Sequence, residues 1–228
     1  MNKIILALDT INLDEAIDIT QKIKDKIYTV KLGLEFFNAN GKKGIKKFNE
    51  IGINNLMLDL KLNDIPETVY KSIKALEDIR FGYLTVHGQG GKIMIKKAIR
   101  AANEIKCNPK ILMVTILTSL NDIDLKDMGN KATVSSQVES LAKMAKQMNV
   151  GVVCSGHEAK NVRKILGTSL SIFTPGIRMN KENKNDQQRI CTPQESISNG
   201  ANKVIMGRSL IKGNIEENLN KISLSIKV

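Results

Sequence analysis

Residues 56–69 read LMLDLKLNDIPETV. The first half is an apolar run of the kind that fills a buried strand, yet it carries Asp59 and Lys61. The second half begins a helix. Pro66 falls in the first turn, where a missing N–H costs nothing, and the stretch IPETVYKSIKALED runs over 65–78. The segment is therefore a strand followed directly by a helix. Charges inside such a strand are expensive to desolvate, so they need a chemical reason to be there.

The same unit recurs along the chain. Apolar, β-branched runs occur at IILALD (4–9), YTVKLG (28–33), LMLDLK (56–61), YLTVHG (83–88), ILMVTIL (111–117), VGVVCSG (150–156), LSIFTPG (170–176) and KVIMG (203–207). Continuous apolar runs suit strands covered on both faces. Helix-like stretches lie between them. NLDEAIDITQKIKD (12–25) has Asn12 as its N-cap, SSQVESLAKMAKQM (135–148) follows the same pattern, and SLIKGNIEENLNKISLSI (209–226) is weakened at Gly213. Eight such repeats in 228 residues predict an α/β fold, a (β/α)8 TIM barrel in a single domain spanning 1–228. A doubly wound open sheet is the alternative. The connection IRMNKENKNDQQRICTP (177–193) is long and polar, and is expected to be a mobile lid at the strand C-terminal end.

Composition narrows the class. At 42% hydrophobic and 25% charged, the chain is expected to be globular rather than disordered. No stretch has the length of a membrane span, and the apolar run in MNKIILALDT is too short for a signal peptide, so the expected setting is cytoplasmic. Cys107, Cys154 and Cys191 are far apart without metal or redox spacing, and read as buried or idle thiols. The net charge of +12 suits an anionic partner, but the lysines are scattered as on a solubility surface. With no Trp, there are few stacking platforms for single-stranded nucleic acid.

Residues two apart on a strand share a face, so Asp59 and Lys61 project together from the end of the third run. Lys31 holds the matching place in the second run and Asp9 closes the first. The four are expected at one level of one barrel mouth, where they would hold each other ionised. Asp64, taken alone, reads better as a cap for the helix near Pro66. In KVIMGRSLI (203–211), Gly207, Arg208 and Ser209 offer backbone N–H groups and a guanidinium to an anion, at the end of a barrel where phosphates are often held. His87 and His157 lack metal spacing and read as structural or peripheral. There is no convincing nucleophile–base pair and no dinucleotide-binding glycine pattern.

With these residues in place, the chain resembles the orotidine 5′-phosphate decarboxylase family over essentially its whole length. DLKLNDIP carries that family's Asp-x-Lys-x-x-Asp-Ile signature, and LALD, VKLG, LTS (117–119), PGIR and GRS agree in order and position. HGQGG (87–91), PGIRMN and the Asn/Lys-rich lid depart from the usual pattern. The resemblance implies decarboxylation of orotidine 5′-monophosphate to UMP, the last step of de novo pyrimidine nucleotide biosynthesis, with no cofactor and no metal. It implies a catalytic network of Lys31, Asp59, Lys61 and Asp64, with Lys61 as proton donor to C6 and Asp59 near the departing carboxylate. Asp9 and Lys31 would hold the ribose hydroxyls, and Thr118 and Ser119 would face the pyrimidine. Arg178, Gln187 (with Gln188 adjacent), Gly207 and Arg208 would bind the phosphate, with Pro175 of PGIR beside them. A homodimer is implied, Asp64 and Thr68 entering the partner's site, and neither nucleic acid nor membrane is an expected partner. Two other readings are weighed. A sister decarboxylase of sugar phosphates would use an acidic residue and Mg²⁺ where Lys31 stands, and a non-catalytic phosphate- or nucleic-acid-binding protein would exploit the positive charge alone.

Overall fold

The computed structural model describes residues 3–179 and 189–226. Gln187, Gln188 and the middle of the expected lid lie outside the described residues. The strands and helices alternate as the runs predict. The first half comprises β1 (Ile4–Leu8), α1 (Leu13–Ile23), β2 (Thr29–Gly33), α2 (Leu34–Glu50), β3 (Met57–Leu62), α3 (Pro66–Lys74), β4 (Tyr83–His87) and α4 (Gly91–Glu104). It continues with β5 (Lys110–Val114), α5 (Asp122–Asp127), α6 (Val134–Met148), β6 (Gly151–Val153), α7 (Ala159–Leu166) and β7 (Ile172–Thr174). The chain ends with α8 (Pro193–Ser198), β8 (Lys203–Met206), α9 (Arg208–Ile211) and α10 (Ile215–Ser225). The eight strands follow sequence order in a closed barrel, and each strand pairing described is parallel. No open sheet forms among the described residues.

The chain clusters into two compact units, Met1–Leu112 and Met113–Val228. In the first, every residue of β1 and β2 is buried. Each fully buried Ile or Leu there contributes about 1.5–3 kcal/mol. Asn12 caps α1 as its sequence suggests, its side chain accepting the Glu15 N–H at 3.1 Å. Phe36 and Phe48 lock the buried face of α2 edge-to-face, centroids 5.6 Å apart. In the second unit, α6 begins at the Thr133 cap and stops where Asn149 turns left-handed at φ 54°. Thr192 and Glu195 form a capping box around Pro193, which starts α8 inside the segment expected to be wholly loop. The helix expected over 209–226 is two helices, because Gly213 adopts φ 80° and ends the first.

Candidate active site

The rim charges gather in the first unit. Lys31 Nζ lies 3.2 Å from Asp9 Oδ1 and 3.4 Å from Asp59 Oδ2. Lys61 Nζ reaches the same Asp59 oxygen at 2.9 Å. One carboxylate oxygen thus serves two ammonium groups. Lys31 and Asp59 are nearly buried, whereas Lys61 keeps 31% of its side chain exposed and Asp9 60%.

Two features of this arrangement differ from simple strand alternation. The register pairs Gly33 with Asp59 but Lys31 with Met57, so the Lys31 backbone lies one layer deeper than expected. Its long side chain climbs to the rim past Gly33, where a Cβ would stand 3.1 Å from its Nζ. The second difference is at Lys61. β3 pairs Leu58 with Leu84 and Leu62 with Val86, so a bulge interrupts the ladder between them. Within it Lys61 adopts φ 46°, a left-handed conformation uncommon for a side chain of this kind. Asp59 and Lys61 meet through this kink, not through a regular pleat.

Their neighbours set their charge. Burial opposes ionisation of Asp59, but the Lys31 and Lys61 ammonium groups and hydrogen bonds from Lys61 and Thr85 outweigh it, holding the carboxyl below its usual range. Burial likewise opposes the charge on Lys31, and Asp59 and Asp9 more than offset it, holding the ammonium above its ordinary value. Both residues are therefore charged at neutral pH. His87 ends β4, and burial, with the Lys61 charge, lowers its pKa. Its Nδ1 is buried with no hydrogen-bond partner among the described residues.

Asp64 stands apart from this cluster. It is exposed and accepts the Ile65 N–H at 2.7 Å. It does not cap α3, whose N-cap is Ile65 with no side-chain hydrogen bond, so the capping alternative fails. Thr68, in the first turn of α3, is exposed as well. 

The second unit carries the remaining candidates. Thr118 is buried and Ser119 exposed, in a turn beyond the end of β5. Pro175 is half-buried and Gly176 turns at φ 71°. Arg178 is buried, its Nη1 donating to the Ile177 carbonyl at 2.9 Å. The two ends of the expected lid are joined: Arg178 N–H donates to Cys191 O at 3.0 Å and Cys191 N–H to Gly176 O at 3.2 Å. Gly207 follows β8 as the N-cap of α9, which begins at the exposed Arg208. His157 is exposed and peripheral, as read.

Several residues in these surroundings escaped the sequence reading. Thr85 on β4 bonds Asp59 and the Lys61 backbone. Arg189 pairs with Glu158 and donates through Nη2 to the carbonyls of Ile116 (3.1 Å) and Leu117 (2.8 Å), tying the expected lid's end to the turn that carries Thr118. A polar residue in the middle of an apolar strand was the only signal for Thr85. Arg189 and Glu158 had none, being far apart in sequence. Cys154 and Cys191 are free thiols whose pKa burial pushes up to about 12, which leaves them protonated and poor nucleophiles. No cluster of three or more His, Cys, Asp or Glu side chains suited to a metal occurs among the described residues. No helix among them is long and apolar enough to cross a membrane.

Comparison with known proteins shows which family the chain is similar to. The model of the "Orotidine 5′-phosphate decarboxylase / HUMPS family" matches residues 2–221. An orotidine 5′-phosphate decarboxylase of Wolbachia pipientis subsp. Culex pipiens is 43% identical over 211 residues, 92% of each chain. One from Wolbachia sp. subsp. Brugia malayi is 40% identical over 225 residues, 98% of each. The crystal structure of the orotidine 5′-phosphate decarboxylase from Lactobacillus acidophilus superposes with a TM-score of 0.84 at 33% identity, covering 100% of both chains.

Proposed function

The chain belongs to the orotidine 5′-phosphate decarboxylase / HUMPS family and decarboxylates orotidine 5′-monophosphate to UMP, and from that premise we propose how its residues carry the reaction. Loss of CO₂ from pyrimidine C6 leaves an electron pair that the ring delocalises poorly. The pair must be met by charge fixed in advance. The Lys61 ammonium, held 2.9 Å from Asp59 Oδ2, carries this reading: it is a cation oriented before the substrate arrives. As the C6–carboxylate bond breaks, Lys61 gives its proton to C6 and is left neutral, to be reprotonated from water. Asp59 aligns the donor and faces the departing carboxylate.

The other roles follow the family pattern. Asp9 and Lys31 take the ribose hydroxyls. Thr118 and Ser119 take the pyrimidine, and Arg178, Gly207 and Arg208, beside Pro175, take the phosphate. Gln187 joins the phosphate from the connection over 177–193, which closes as a lid. Phosphate binding far from the reacting carbon then helps to lower the barrier through closure and water exclusion. The working enzyme is a homodimer. Asp64 and Thr68 serve the partner's site, a role supported by their exposure and by the apolar Ile65 between them, 68% exposed.

The Lys31 ammonium already stands between two carboxylates, the place a sugar-phosphate decarboxylase would give to a divalent cation. The test is direct. Purified protein with no added metal should convert orotidine 5′-monophosphate to UMP, followed by the loss of substrate absorbance, and a chelator should leave the rate unchanged. An inactive folded dimer, or activity lost to the chelator, would reject this reading.

A further inference from the structure

Thr85 lies in the middle of β4, in YLTVH, with a relative exposure of 0%. A buried hydroxyl is costly unless it is bonded. This one is bonded at both ends, and both partners lie on the neighbouring strand. Its Oγ1–H donates to Asp59 Oδ1 at 2.9 Å, and the same oxygen accepts the Lys61 backbone N–H at 2.9 Å. Asp59 Oδ2 is thereby left to Lys61 and Lys31. The Lys61 amide is held within the bulge where the backbone reaches φ 46°, a conformation that persists only when its surroundings impose it.

We propose that Thr85 is a positioning residue for the decarboxylation, its one hydroxyl setting both the bulged backbone that carries Lys61 and the rotation of the carboxylate that aims the Lys61 ammonium. Being fully buried, it acts through those two residues and not on the substrate. The inference rests on the reading of Lys61 as proton donor. Valine matches threonine in shape but makes neither bond. Serine makes both but lacks the methyl group.

The experiment compares kcat, KM and the inhibition constant of the product UMP in wild type, Thr85→Val, Thr85→Ser and Thr85→Ala, with thermal unfolding recorded for each. Thr85→Val should lose about 10²-fold in kcat, the scale of a small misplacement of a reacting group. Its KM and UMP affinity should stay within about threefold, since uniform binding is untouched. Thr85→Ser should return kcat to within about threefold of wild type. If Thr85→Val does not fold, Ser against Ala decides: both lack the methyl, and only Ser keeps the hydroxyl. The proposal is overturned if Thr85→Val keeps wild-type kcat, if its loss lies in KM alone, or if Ser and Ala lose equally. Lys61→Ala, assayed in parallel, separates the two claims. Sustained turnover in that variant removes the donor reading and this inference together, whereas a dead Lys61→Ala beside a fully active Thr85→Val removes this inference alone.

Discussion

The ammonium of Lys31 sits 3.4 Å from Asp59 Oδ2, although on the ladder Lys31 pairs with Met57 and it is Gly33 that pairs with Asp59. The contact depends on the long lysine stem rising past a residue with no side chain. A register offset of one layer has thus been converted into an ion pair at the rim.

That relationship makes Gly33 testable. A Cβ there would stand 3.1 Å from Lys31 Nζ and 3.5 Å from Asp9 Oδ1. The Gly33 backbone is extended, so alanine fits without strain, and the flexible lysine tip yields at little cost to stability. Gly33→Ala should therefore fold with a melting temperature near wild type while kcat/KM falls about tenfold as the ammonium is displaced. An unchanged kcat/KM would show that the position of Lys31 Nζ is not critical.

Lys61→Ala should lower kcat by about 10²–10⁴-fold, the usual worth of a positioned proton donor, or more where its charge also stabilises the carbanion. Its fold should persist, because the side chain is part-exposed and Asp59 keeps Lys31 and Thr85 as partners. Steady-state rates and circular dichroism check both halves. Near-normal turnover removes Lys61 from the role.

Mixing Lys61→Ala with Asp64→Ala should restore activity through hybrid dimers. If Asp64 acts across the interface, each hybrid has one intact site, so random exchange gives about a quarter of wild-type turnover. No recovery, with exchange verified by mass spectrometry, would place Asp64 in its own protomer's site.

Asp59 has a folded pKa below its ordinary 3.8. It therefore contributes stability that is fully present above that value and is lost as pH falls through the folded value. Lys31, raised above its ordinary 10.5, behaves oppositely: its contribution is full below 10.5 and is lost as pH rises through the folded value. The difference in unfolding free energy between wild type and Asp59→Asn should be flat at neutral pH. Below 3.8 it should change, against wild type, by about 1.4 kcal/mol per pH unit until the folded pKa is reached. A difference that already changes near pH 6 would contradict the ion-pair assignment.

Arg189 and Glu158 are each nearly buried, at 15% and 12% side-chain exposure. Arg189→Met leaves an unpaired carboxylate and should cost roughly 3 kcal/mol. Adding Glu158→Gln should recover part of that loss, a non-additivity that a double-mutant cycle in urea reads directly. Because Arg189 ties the expected lid's end to the turn beyond β5, Arg189→Met should also raise KM more than it lowers kcat.

Much of the fold was legible because its signal is local. Each of the eight apolar runs coincides with a strand to within a few residues, and Asn12 and Pro66 mark helix starts where the side chain or ring acts on its own backbone. The runs overreach the strands at β6 and β7, since VGVVCSG and LSIFTPG continue apolar into turns where Gly156 and Gly176 leave the ladder. Spacing on β3 named Asp59 and Lys61 as partners, and they are, but for a different reason: alternation predicts a shared face, whereas a bulge at Lys61 supplies the contact.

Sequence alone determined the strand–helix alternation and the identities of the charges at the strand ends, because period, capping and residue type are properties of neighbours along the chain. Tertiary structure alone decided the layer at which Lys31 lies, the left-handed kink of Lys61 and the choice of Thr85 as the hydroxyl between Asp59 and the Lys61 amide. These depend on register between strands, and register is set by how whole faces pack, which no single run of residues encodes.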